Sequence, residues 1–230
     1  MSVHRTYSFA ATTEPLLSSP HIIQYRLCVG GSLRMNIKKS WPATKVGSGH
    51  QGGHHDEHSK PRWCAYQGPY PEPKAEKPNL YYASLLMDDM AGAVSELTAT
   101  TQYLYHHQVL YDRYPDVAGL LECASIVEMT HLELLAETII HLGGQPKFGV
   151  MTNCGMEWWR GDLVYYGCDL CDMLSADIEA ERQAIINYKR HIEMIDDKYV
   201  KALLNRILLD EQHHLEEFKA KRQKYCYSQR

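Results

Sequence analysis

Two Glu-x-x-His pairs, each on the apolar stripe of its own helical segment, constrain this chain more than any other feature. In the run LECASIVEMTHLELLAETIIHL the helical period puts Leu121, Ala124, Leu135 and Leu142 on one side. Glu128 and His131 fall on that same side. A core-facing carboxylate with no partner is costly to desolvate, so something must compensate it. The chain then repeats the arrangement: in NRILLDEQHHLEEF, Glu211 and His214 continue the stripe of Leu204, Ile207 and Phe218. Two such pairs on the buried faces of two helices are what a dinuclear metal site inside a four-helix bundle requires.

The rest of residues 76–230 supplies the bundle. Helix A is expected from about Leu80 to Tyr111, its inward face traced by Ala93, Glu96, Thr100, Tyr103 and His107, with Leu86, Met90, Leu97 and Leu104 flanking. The short break at Asp112–Asp116 places helix B antiparallel to A, and Gly143-Gly144 followed by Pro146 ends B. From Gln145 to about Gly167 the connection is too long for a tight turn and contains Trp158-Trp159, as a crossover along the bundle would. Helix C is expected from about Asp169 to Ile195 and helix D from about Lys198 to Lys221. Two hairpins joined by one long connection give an all-α fold with ferritin-like topology.

Helices A and C each offer a carboxylate to match the two pairs. Glu96 precedes Glu128 by 32 residues and Glu181 precedes Glu211 by 30, an internal repeat. On helix C, Glu181 aligns with Leu174, Ile185 and Tyr188, whereas Glu179 points to the other side. Each lone Glu is followed seven residues later, on the same face, by a tyrosine, Tyr103 or Tyr188. Tyr103 is the candidate catalytic side chain, as a donor to a ligand carboxylate or a source of an electron. Asp177 and Asp210 are candidates to orient a ligating histidine, with solvated helix acids as the alternative. The candidate metal ligands are therefore Glu96, Glu128, His131, Glu181, Glu211 and His214. Four carboxylates neutralise two divalent ions, and oxygen donors with imidazole suit two iron or two manganese ions per chain.

Residues 1–75 read as an irregular, flexible N-terminal extension. They carry Ser, Pro and Gly clusters, a short apolar run near Ile22–Val29, and a tract with His50, His54, His55 and His58 that reads as a flexible tail. Met35 opens a more ordinary segment and is an alternative start. The proline-rich stretch Tyr70–Pro78 reads as an extended arm into the bundle. The formal net charge of -4, with both signs mixed, gives no case for nucleic acid. No apolar stretch approaches the ~20 residues of a membrane span, and no secretory signal is visible. Seven scattered cysteines, an odd number, read as reduced thiols in the cytoplasm. Cys168-Asp169-Leu170-Cys171 lacks the second pair that a rubredoxin-type iron site needs, leaving a redox-active pair as its alternative to plain thiols.

At these residues the chain resembles the bacterioferritins and, more loosely, the rubrerythrins and manganese catalases of the ferritin-like superfamily. SELTATTQYLYHH resembles the first-helix segment with its terminal Glu and tyrosine, and EMTH the second-helix motif. MLSADIEAERQAIINY and LLDEQHHLEEF resemble the third and fourth. The resemblance implies a homo-oligomeric oxidoreductase reacting with O2 or H2O2 at a di-iron site, as ferroxidase or peroxidase with an external electron donor. The alternatives it carries are a di-manganese catalase and an iron-storage cage subunit. Met129 corresponds to the methionine through which bacterioferritin binds haem. Little sequence follows helix D, so the short fifth helix of cage-forming ferritins has no counterpart.

Overall fold

The computed structural model describes residues 63–227; the run at Ile22–Val29, Met35 and the tract of His50 to His58 lie outside the described residues. Helix α1 spans Leu80–Ala91 and starts where the Asn79 side chain accepts from the N–H groups of Tyr81 and Tyr82. Helix α2 spans Glu96–Leu110 and starts at Ser95, whose hydroxyl accepts from the Thr98 N–H. The single helix expected from Leu80 to Tyr111 is thus two. At Gly92 the backbone folds against Asp88: its N–H donates to the Asp88 carbonyl at 2.9 Å, and a Cβ there would sit 2.6 Å from the same oxygen. Only glycine fits so close an approach. The apolar period runs on through the break, which hid it. Ala93 falls in the break and is exposed, as is Leu104, both expected on or beside the inward face. The break also starts α2 at Glu96, where the helix N-terminus favours a negative side chain.

Helix α3 spans Pro115–His141, with proline in its first turn, and ends through Gly143 at φ 84°, a left-handed C-terminal turn. Helices α4 (Leu170–Met194) and α5 (Lys198–Arg222) are capped by the side chains of Asp169 and Asp197. The α2–α3 and α4–α5 hairpins are joined by a crossover holding an antiparallel ribbon, β1 (Gly149–Thr152) and β2 (Gly155–Trp158), and a single 3-10 turn. The strands were not expected; they are short and mostly exposed, so neither carries a clear alternating pattern. The crossover does lie along the bundle. Trp159 Nε1–H donates to Thr98 Oγ1 at 2.9 Å, and the Tyr165 N–H donates to Gln102 Oε1 at 2.9 Å.

The core forms two clusters. One gathers Tyr103, Leu121, Leu174 and Phe218; the other gathers Leu86, Leu135, Ile185, Leu204 and Ile207. Along α3, α4 and α5 the Glu and His of interest fall between the two clusters, so apolar layers close the centre from both ends. No helix among the described residues is long and apolar enough to cross a membrane.

The expected reduced thiols are corrected. Cys64 is bonded to Cys123 and Cys171 to Cys226, and Cys168 is also in a disulfide; Cys154 is free and exposed. The expectation failed because an odd count excludes only complete pairing, and each bond joins segments more than fifty residues apart, with sequence separations of 59 and 55. Cys171 takes Cys226 as partner, so the Cys-x-x-Cys does not close on itself as a redox pair. The first bond staples residues 63–70 to α3. This strap and the arm behind it have no helix or strand, yet they are held: Arg206 donates to the carbonyls of Tyr66 and Gly68, and Asp197 accepts the Glu76 N–H.

Candidate metal centre

Six side chains from α2, α3, α4 and α5 converge inside the bundle. His131 Nδ1 lies 2.9 Å from Glu128 Oε2, 3.1 Å from Glu211 Oε1 and 3.4 Å from Glu96 Oε2. His214 Nδ1 lies 2.8 Å from Glu128 Oε1, 3.5 Å from Glu181 Oε1 and 3.9 Å from Glu211 Oε2. Glu128 and Glu211 thus each turn one oxygen to one imidazole and the second oxygen to the other. Two overlapping donor sets result, Glu96–Glu128–His131–Glu211 and Glu128–Glu181–Glu211–His214, the atoms of each lying within 4.8 Å of one another. Glu179, the rejected alternative, is exposed.

The cluster fits cations better than it fits itself. All six residues are buried. Yet Glu128 Oε1, Glu211 Oε1, Glu181 Oε2 and both nitrogens of His214 have no hydrogen-bond partner among the described residues. His214 Nδ1 is close enough to Glu128 Oε1 but not aligned with it, as expected of groups aimed at a shared point between them. Burial, and after it the charges of Glu211 and Glu128, pushes the Glu96 carboxyl well above its usual range. Burial with Glu128 and Glu181 does the same to Glu211, and burial raises Glu181. Glu128 goes the other way: burial opposes ionisation, but the imidazoles of His214 and His131 outweigh it and hold the carboxyl low. Two divalent ions at this point would relieve the repulsion and engage the orphaned carboxylate oxygens and one nitrogen of His214.

The tyrosines exchange partners. Tyr103 O–H donates to Glu181 Oε1 at 2.6 Å, and Tyr188 O–H donates to Glu96, so each serves the glutamate of the opposite helix. Seven residues rise ~10 Å along a helix, too far for a tyrosine to reach its own glutamate. Because α4 runs antiparallel to α2, position 188 comes level with 96 and 181 with 103. Met129 is 50% exposed and stands apart from the cluster.

The two aspartates part company. Asp210 Oδ2 lies 3.0 Å from His131 Nε2 and so orients a histidine of the cluster. Asp177 instead holds His106, whose Nδ1 is 2.9 Å from Asp177 Oδ1. Sequence reasoning missed His106, Gln102, Arg206 and Tyr70. Arg206 carried one legible signal, its place one turn before Asp210, to which it is paired at 2.7 Å. Tyr70 carried none. Its hydroxyl donates to Asp210 Oδ2 at 2.5 Å and lies 3.2 Å from His131 Nε2, across 61 residues of sequence.

Two antiparallel helical hairpins with a long crossover, and carboxylates and imidazoles from four helices meeting between them, define a ferritin-type bundle. The chain belongs to the ferritin-like domain family, whose match spans residues 93–225. It is similar to a probable manganese catalase of Clostridium acetobutylicum, 28% identical over 164 residues that cover 61% of this chain and 70% of that protein. It is similar also to a bacterioferritin of Streptomyces coelicolor, 30% identical over 126 residues that cover 53% of this chain and 70% of that protein. A solved manganese catalase from Anabaena shares the fold with a TM-score of 0.61 at 24% identity, covering 68% of this chain and 77% of the other.

Proposed function

We propose that this chain is a dinuclear metal-dependent oxidoreductase acting on H2O2 or O2, with two iron ions as cofactor and ferroxidase or peroxidase chemistry as its reaction. The observation that carries this is the pair of donor sets sharing Glu128 and Glu211. Glu96 and His131 would hold one ion and Glu181 and His214 the other, with Glu128 and Glu211 bridging. Two bound redox ions supply electron pairs to an oxidant. The chain fixes the donors and keeps water out. Tyr103 and Tyr188 each donate to a terminal carboxylate, so Tyr103 is assigned a positioning role, and the apolar clusters close both ends. A peroxidase cycle needs an external electron donor.

The second reading, dismutation of H2O2 at a di-manganese site, is favoured by the similarity to manganese catalases. Metal analysis of protein from its native host decides between them. Iron near two per chain with turnover of Fe(II) or of a reductant with H2O2 supports the first. Manganese with oxygen evolution from H2O2 supports the second and overturns the first. Similarity to bacterioferritin carries a storage reading, which requires a closed homo-oligomeric cage; light scattering that returns a small homo-oligomer overturns it. A Soret band in the same sample would show bound haem, for which Met129 is the candidate ligand. The disulfides favour an oxidising compartment over the cytoplasm expected from the cysteine count. Mass spectrometry after alkylation of native protein tests this, since labelling of all seven cysteines returns the protein to the cytoplasm.

A further inference from the structure

The two imidazoles of the cluster are not held alike. His131 Nε2 faces Asp210 Oδ2 at 3.0 Å and the Tyr70 hydroxyl at 3.2 Å. His214 Nε2 is buried and has no hydrogen-bond partner among the described residues. The difference is written in the sequence. The repeat that aligns Glu128 with Glu211 sets Val127 where the second half has Asp210, and the buried Val127 side chain accepts no hydrogen bond.

Around Asp210 the strap and Arg206 of α5 add further support. Tyr66 N–H donates to Asp210 Oδ1 at 2.7 Å, Tyr70 O–H donates to Oδ2 at 2.5 Å, and Arg206 Nη1 lies 2.7 Å from Oδ2. Arg206 in turn lies over the Tyr70 ring, 4.2 Å from its centroid. For His131 to hold, through the Nδ1 lone pair, an ion placed among Glu96, Glu128 and Glu211, its proton must sit on Nε2. Asp210 is the acceptor that fixes this tautomer and raises the basicity of Nδ1. If His214 ligates through Nδ1, the Nε2 proton has no acceptor, and a buried unsatisfied donor is unfavourable.

We propose that the two metal positions are inequivalent: the position at His131 fills first and more tightly, the position at His214 is the exchangeable one, and Asp210 and Tyr70 are the positioning residues that set the order. The inference rests on the dinuclear reading of the site. It assigns to Val127 a role as the residue that leaves the second position weak.

The test is titration of the metal-free full-length protein with Co(II), followed by its visible absorption, with bound metal counted after equilibrium dialysis. Two ions per chain should bind in two resolved steps. Asp210→Asn should weaken the tighter step by roughly 10–100-fold, the usual effect of removing a partner of a ligating histidine, and leave the weaker step where it was. Tyr70→Phe should act in the same direction on the same step with an unchanged circular dichroism spectrum. Val127→Asp should tighten the weaker step and narrow the gap; if that variant does not fold, Asp210→Asn carries the test. Two equal steps in the wild type, or equal weakening of both by Asp210→Asn, would overturn the inequivalence and leave the dinuclear reading standing. Fewer than two ions bound per chain would overturn that reading as well.

Discussion

Glu128 and Glu211 hold the centre together because each presents an oxygen to each imidazole. Replacing both, as Glu128→Ala with Glu211→Ala, takes two donors from each set, and metal analysis should find no bound ion; retention of both metals would refute the ligand assignment. His106 gives a different residue-scale test. Its Nδ1 meets a carboxylate and its Nε2 lies 2.7 Å from the Tyr165 carbonyl oxygen, so both nitrogens face groups that only accept, and the ring is cationic. Burial opposes that charge, but Asp177 outweighs it and the pKa is raised. A raised folded pKa contributes stability that is full below the unfolded value of ~6.5 and is lost as pH rises through the folded value. The melting-temperature advantage of wild type over His106→Gln should therefore shrink as pH is raised from ~6 to ~9. An advantage that instead grows with pH would show that the folded ring is neutral.

Among the elements, the break between α1 and α2 decides where Glu96 stands. In an unbroken helix Gly92→Ala would gain about 0.5–1 kcal/mol from reduced backbone freedom. Here the new Cβ meets the Asp88 carbonyl oxygen at 2.6 Å and cannot be accommodated without moving α1. A loss of about 1–3 kcal/mol is expected, as for overpacked cores, read by chemical denaturation. A gain in stability would mean the helix is continuous. The strap is the other element whose placement matters, since it brings Tyr66 and Tyr70 to Asp210.

The molecule as a whole is tied at its described ends. Cys64 joins the strap to α3, and Cys226 joins the turn after α5 to the first turn of α4. Asp116 at the start of α3 accepts from Lys221, Lys224 and Tyr225, so the same terminal turn is held to the other hairpin. Replacing Cys171 and Cys226 by serine removes a cross-link between positions 55 residues apart and should cost about 2–4 kcal/mol in denaturant unfolding. An unchanged transition midpoint would mean the bond is not formed in the protein as isolated.

The sequence by itself determined the helices, the faces they bury and the set of Glu and His that meet inside. These follow from local rules: a 3.6-residue period, caps such as Asn79, Asp169 and Asp197, and the cost of burying a charge without a partner. Glu181 over Glu179 was readable for the same reason. Only the tertiary structure decided the break at Gly92, the exchange of tyrosines between glutamates, the pairing of Asp177 with His106, and the disulfides. It alone brought Tyr70 to His131. Each of the long-range contacts joins residues 55 to 140 positions apart, where no period or spacing records a partner. At Gly92 the deciding contact is a backbone approach, invisible in a pattern of side chains.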